Sequence, residues 1–155
     1  MKKKIWVGID PGKTGGLAWI NEDLTEYKAF YTPENLNMMA NLLRDLHCDY
    51  KIVKVTIEDI PVMSLVGKAP YGKLKFNEGS WNGIIATLSL PLYPVKPLKW
   101  QTSFFGQKKK GEKRNTKKLS REHAMRMFPH EDFSKAKDDG RSDAILIAKY
   151  GKDNL

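Results

Sequence analysis

Apolar and polar positions alternate from the start of the chain. Ile5, Val7 and Ile9 are separated by Trp6 and the small Gly8, a pattern that predicts a strand over about 4–10 buried on both faces. Pro11-Gly12 breaks that run, so Asp10 closes the strand. The glycine-rich stretch Pro11 to Gly16 followed by Leu17-Ala18-Trp19-Ile20 reads as a hairpin, and Leu24 to Tyr31, after a polar turn at Asn21-Glu22-Asp23, reads as a third strand. Thr32 is suited to cap a helix with Pro33 at its first position and Glu34 in its first turn. Leu36, Met39, Ala40, Leu43 and Leu46 then form one apolar stripe at helical spacing. Ile52, Val53, Val55 and Ile57 predict a fourth strand, closed by Glu58-Asp59.

Residues 61–76 have no clear period and mix prolines, glycines and lysines with Tyr71 and Phe76, which predicts a mobile loop. Trp81, Ile84, Ile85 and Leu88 mark a helix, and Gly79 with Gly83 leave a notch on another side of it. Leu92 to Val95 is a short fifth strand. Pro97 to Phe105 turns helically, with Trp100, Phe104 and Phe105 packing on the sheet, and Leu119 to Phe128 is a further helix. From about Asp139 to Tyr150 a last helix carries Ala144-Ile145-Leu146-Ile147-Ala148, apolar nearly all round and therefore buried. Three antiparallel strands followed by helical crossovers give an α/β fold with a mixed five-stranded sheet flanked by helices. No repeat or linker divides the 155 residues, which fit a single domain over 1–155.

Composition narrows the chemistry. Twenty-seven Lys and Arg against eighteen Asp and Glu give a formal charge of +9, which favours polyanionic partners. The lone Cys48 excludes an intramolecular disulfide and a multi-cysteine zinc site. Met1-Lys2-Lys3-Lys4 has the charge of a signal peptide, but Asp10 and Pro11 interrupt the apolar run after it, and no stretch approaches the roughly 20 apolar residues of a membrane span. A cytoplasmic protein without membrane contact is expected.

The acidic positions carry the argument further. If strands one and four are parallel neighbours, Asp10 and Glu58 lie side by side outside the strand ends, where sites form in such sheets. Asp139 and Asp143 are four apart and share one face of the last helix. A helix cap explains one of them, but Asp143 leads directly into the buried segment and has no evident cation on its face. The plainer reading of Asp10 is a turn-capping residue. Four converging carboxylates repel one another, and an all-oxygen set suits Mg²⁺ or Mn²⁺ better than zinc. Two such ions about 3.5–4 Å apart would activate water and stabilise the leaving oxygen of a phosphodiester.

These residues carry a resemblance to the RuvC family of Holliday-junction resolvases, within the RNase H-like superfamily. Gly8-Ile9-Asp10-Pro11-Gly12, Ile57-Glu58, Val95-Lys96-Pro97-Leu98-Lys99-Trp100 and Asp139-Gly140-Arg141-Ser142-Asp143-Ala144 are similar to its motifs, and the order of elements agrees over essentially the whole chain. The resemblance implies an RNase H-like fold, Asp10, Glu58, Asp139 and Asp143 as catalytic ligands of two Mg²⁺ or Mn²⁺ ions, and no small-molecule cofactor. It also implies a homodimer paired through the Gly79/Gly83 helix, and paired nicks with 5′-phosphates in four-way junctions or forks. The size fits the compact phage or prophage members. Family members commonly place the last two acids three apart, whereas Asp139 and Asp143 are four apart, so Asp138 stands as an alternative to Asp139.

Lys108, Lys109, Lys110, Lys113, Arg114, Lys117 and Lys118 form a basic run with one acid, Glu112, and are read as DNA contacts, although charge runs are commonly solvated loops. Tyr71 and Phe76 suit stacking on unpaired bases or packing under a loop. Lys13 lies close enough to the Asp10 turn to meet a scissile phosphate or simply to be solvated. His47, His123 and His130 show no metal spacing and read as surface or packing residues, with His123 a weaker phosphate contact. Gly8 to Thr14 imitates a phosphate loop but has three residues between its glycines where four are required. The first phosphate motif of actin- and hexokinase-like ATPases also resembles this turn, but needs a second domain. An RNase H-type nuclease and a non-catalytic basic DNA-binding protein remain the alternatives.

Overall fold

The structure is a computed structural model, and it describes residues 1–61 and 67–155. Strands β1 (Lys4–Asp10), β2 (Gly16–Asn21) and β3 (Tyr27–Tyr31) form the antiparallel opening. Helix α1 (Leu36–Asp49) crosses to β4 (Lys51–Glu58), and α2 (Lys68–Thr87) crosses to β5 (Leu92–Val95). Helices α3 (Pro97–Phe105), α4 (Thr116–Met127) and α5 (Asp139–Asn154) complete the chain, with a short 3₁₀ turn over Ala136–Asp138 before α5. The sheet order is β3-β2-β1-β4-β5. β1 pairs antiparallel with β2 and parallel with β4, and Ile9 lies opposite Ile57, so the carboxylates that follow close two adjacent parallel strands.

The alternation along β2 divides two cores. Leu17 and Trp19 join Met39, Leu43, Trp81 and Ile85 on the α1/α2 side, whereas Ala18 and Ile20 join Trp100, Ala124 and the α5 residues Ala144 to Ala148 on the other. All five of those α5 residues are fully buried, as their unbroken apolar run predicts. Close approach of α5 to the sheet depends on Gly8. A Cβ there would meet Ala144 O at 2.1 Å and Ala148 N at 2.3 Å. Backbone lies directly on backbone, and the start of α5 is thereby set over the end of β1.

Three local expectations are corrected. Thr32 does not cap α1: its N–H donates to Gly15 O at 3.2 Å, and the helix begins after Asn35, whose side chain accepts from Met38 N–H at 3.0 Å. The stretch 61–76 is not one loop, because α2 already begins at Lys68; Pro70 falls in the first turn, where a missing N–H costs no helical bond. Tyr71 and Phe76 therefore sit on a helix, while 62–66 of the expected loop lie outside the described residues. Helix α4 begins at Thr116, three residues early, because Asn115 accepts from Lys118 N–H at 3.1 Å; Lys117 and Lys118 thus belong to a helix. Among the described residues no helix is long and apolar enough to cross a membrane.

Candidate active site

Two adjacent strand ends and the start of α5 bring the predicted acids toward one another. Asp10 comes from the end of β1, Glu58 from the end of β4, and Asp143 from the second turn of α5, with Asp139 one turn earlier. All four are partly buried. Asp10 also behaves as the turn-capping reading expects, since Gly12 N–H donates to its Oδ1 at 2.9 Å.

The electrostatics are those of a cluster short of cations. Burial pushes the Asp10 carboxyl up, partly offset by the Gly12 amide and the Lys117 charge. Glu58 is pushed to about 7, first by burial and then by the charge of Asp10, while a hydrogen bond from Trp100 opposes the rise. Asp143 is raised well above the usual carboxylate range by burial, then by Asp10, with Glu58 and Asp139 adding to it and the Ser120 hydroxyl offsetting it in part. Its Oδ1 is buried without a hydrogen-bond partner. Asp143 thus feels the charge of each of the other three acids.

Two elements orient the cluster. Trp100 of α3, fully buried, donates its indole N–H to Glu58 Oε2 at 2.7 Å. From α4, Arg121 Nε lies 3.2 Å from Asp139 Oδ1 and Lys117 Nζ lies 3.8 Å from Oδ2. Asp138 points elsewhere. It accepts from Tyr31 O–H at 2.5 Å, from Arg141 at 3.0 Å and from Lys135 N–H at 3.1 Å, which occupies both oxygens.

The residues fit a divalent metal by their chemistry. An orphaned buried carboxylate oxygen, an all-oxygen donor set and mutual repulsion are what a hard cation relieves. Among the described residues, no group of three or more His, Cys, Asp or Glu is placed to hold an ion as it stands. Asp139 faces the α4 cations, but its Oδ1 and the Arg121 Nε likewise lack a hydrogen-bond partner.

No family model and no curated protein matches the chain. Among solved structures, it is similar to Thermus thermophilus RuvC in complex with a Holliday junction substrate. Identity is 16% and the TM-score 0.63, over 97% of this chain and 96% of that one. A second Thermus thermophilus RuvC structure matches at 16% identity and a TM-score of 0.60, over 96% and 95% of the two chains. The chain has the RuvC fold. Within this RuvC-like, RNase H-like architecture, the positions predicted at the strand ends and at the start of the last helix converge.

Other predicted residues are placed differently. Within the RuvC fold the basic run forms the connection from α3 into α4. Arg114 spends its guanidinium on Gly106 O, Gln107 O and Glu112, so it ties down its own loop. Lys108, Lys109, Lys110 and Lys113 are exposed, and Lys118 pairs loosely with Glu122 at 3.8 Å. Phe76 is 62% exposed on α2, and Tyr71 has the Lys75 ammonium 6.0 Å from its ring centroid. His123 packs against Phe105 at 5.2 Å between centroids, and His130 stacks on Tyr27. The roles of Trp100 and Arg121 were not read from sequence. Only the Val95–Trp100 passage hinted at the first, and nothing in the spacing distinguishes Arg121 from other helix cations.

Proposed function

We propose that this chain is a metal-dependent endonuclease that cuts branched DNA, with four-way junctions and forks as substrates. The observation that carries the reading is the meeting of Asp10, Glu58 and Asp143 at the ends of two adjacent parallel strands under the start of α5, with more negative charge than the surroundings neutralise. Asp10, Glu58, Asp143 and Asp139 would hold Mg²⁺ or Mn²⁺, two ions in a complete site. Asp138 is the weaker fourth member, because Tyr31, Arg141 and Lys135 already use its oxygens. Such ions supply a water nucleophile at neutral pH and stabilise the developing charge on phosphorus-bound oxygens.

The chain's own groups do the rest. Trp100 fixes the rotamer of Glu58 through Oε2. Lys117 and Arg121, beside Asp139, meet the phosphate backbone where a strand approaches the carboxylates. Lys108, Lys109, Lys110 and Lys113 extend that positive edge, while Tyr71 and Phe76 on α2 offer rings to unpaired bases. Paired nicks leaving 5′-phosphates require two sites. A homodimer through the open groove between α1 and α2, lined by Leu36, Ala40, Gly79 and Gly83, would supply the second; a monomeric mass in solution would remove that part.

The test is nicking of end-labelled four-way junction, fork, duplex and RNA–DNA hybrid by the wild type and by Asp10→Asn, with Mg²⁺ or with chelator. Symmetric metal-dependent cuts near the junction centre, absent in the variant while binding persists, are expected. Selective cutting of the hybrid would make the protein an RNase H-type enzyme instead, and binding without cleavage a DNA-binding protein.

A further inference from the structure

The β1–β2 turn, the end of β3 and the 3₁₀ turn before α5 enclose an open cavity of about 360 Å³, lined by Lys13, Thr14, Gly15, Tyr31, Thr32 and Lys137. Both ammonium groups are exposed and no acid lines the cavity. Neither lysine forms an ion pair among the described residues. Two cavities at the opposite end of the sheet also contain lysines, but there Glu26 and Asp49, or Glu22, Asp23 and Glu26, stand beside them. A concave surface with uncompensated positive charge concentrates polyanions.

Tyr31 gives this cavity a fixed aromatic wall. Its hydroxyl is bound to Asp138, the Arg141 guanidinium lies 5.1 Å from its ring centroid and the Lys137 ammonium 5.5 Å. The residue nevertheless stays 45% exposed. Cations beside a fixed ring are the two elements that seat a nucleotide strand, one for phosphate and one for base.

The cavity also adjoins the carboxylates by construction. A Cβ on Gly140 would stand 2.0 Å from Thr14 O, and one on Gly15 2.0 Å from Asp10 O, so the turn is wedged between Asp10 and the first turn of α5. Lys13 follows the Gly12 amide that holds Asp10, and Lys137 precedes Asp139 by two residues. Lys117 and Arg121 reach Asp139 from a different element, α4. We propose that this cavity is a second nucleic-acid subsite, where a strand passing the carboxylates sets phosphate against Lys13 and Lys137 and a base against Tyr31. It takes a nucleic-acid strand as ligand, and it rests on the nuclease reading above.

The test is fluorescence anisotropy of a labelled four-way junction, with Ca²⁺ in place of Mg²⁺, from 50 to 200 mM salt. The proteins are wild type, Lys13→Ala/Lys137→Ala, Lys13→Arg/Lys137→Arg, Lys2→Ala/Lys4→Ala at the far end of the sheet, and Lys108→Ala/Lys109→Ala/Lys110→Ala. Each phosphate contact contributes about 0.7–0.9 to the slope of log affinity against log salt. The Lys13/Lys137 alanine variant is expected to lose about 1.4–1.8 of that slope at an unchanged melting midpoint, the arginine variant to keep it, and Lys2/Lys4 to leave it unaltered. An unchanged slope for Lys13/Lys137 alongside a reduced slope for the 108–110 variant would overturn the subsite and leave the nuclease reading standing. An equal loss from Lys2/Lys4 would overturn it as well. Salt-independent binding by every protein would overturn the nucleic-acid reading itself.

Discussion

Asp138 and Asp139 are neighbours in the chain but belong to two electrostatic regions built from the same residue types. On one side of the α5 start, Asp138, Glu131 and Arg141 form a buried network in which Arg141 bonds both acids and also donates to Ala29 O and Asp132 O. Burial alone would push Asp138 up, yet bonds from Tyr31, Arg141 and the Lys135 amide leave it below its ordinary value. On the other side, Asp10, Glu58 and Asp143 are pushed up together, because the Gly12 amide, the Lys117 charge, Trp100 and Ser120 only partly oppose burial and mutual repulsion. Buried acids that a structure needs for packing are neutralised locally. Acids left in mutual repulsion are what the proposed cation site would neutralise.

Activity gives the largest separation between the two regions. Loss of a residue that only supports a metal ligand typically costs 10–100-fold, so removing a ligand in Asp10→Asn, Glu58→Gln or Asp143→Asn is expected to lower metal-dependent junction nicking by more than about 100-fold. Single-turnover rates check this, and Asp138→Asn should retain most of the rate per folded molecule.

Stability should respond with opposite signs. Arg141→Met strands two buried acids and is expected to cost about 3–5 kcal/mol in denaturant titrations. Asp143→Asn removes a charge that burial and its neighbours oppose. At pH 8 without divalent ions it should raise the denaturation midpoint in the same titrations.

The pH dependence sharpens the contrast. Glu58 ionises near 4.5 in an unfolded chain and near 7 in the fold, so its folded form holds the proton longer. Its contribution is present below about pH 4.5 and lost as pH rises through 7, a fall of roughly 3 kcal/mol in the metal-free protein. Asp138 works in the opposite sense, contributing above its ordinary 3.8 and losing that contribution as pH falls through its depressed value. Urea melts of the wild type and Glu58→Gln between pH 4.5 and 8 measure the first effect, and the variant should flatten the slope.

A smaller effect is expected from Trp100→Phe, which keeps the ring in the core and deletes the bond to Glu58. A hydrogen bond to a charged group contributes about 1.5–3 kcal/mol, so Glu58 should titrate at a still higher pH in carboxylate-resolved NMR.

Legibility in the sequence followed the strength of the local pattern. The strands and α5 were readable because Ile5-Val7-Ile9, Val55-Ile57 and Ala144 to Ala148 allow one period each. The positions of Asp10, Glu58 and Asp143 beside these elements' apolar runs were legible because each is a carboxylate at the edge of such a run. The early start of α2 was not, since Gly67, Pro70, Gly72 and Gly79 obscure any stripe that far from the core. Thr32 and Asn35 are both competent caps, and only the pairing of Thr32 N–H with Gly15 O decides between them. That Asp138 faces Tyr31 and Arg141 likewise needed the 3₁₀ turn before α5.

The central claim is that Asp10, Glu58 and Asp143 form a divalent-cation site, and a melting titration tests it most directly. Chelator-treated wild type and Asp10→Asn are unfolded thermally at pH 7.5 over increasing Mn²⁺. A ligand that binds only the folded state raises the midpoint with concentration, so the wild type should climb steadily while Asp10→Asn climbs far less. A wild-type midpoint that does not move, or one that moves equally in the variant, would contradict the account.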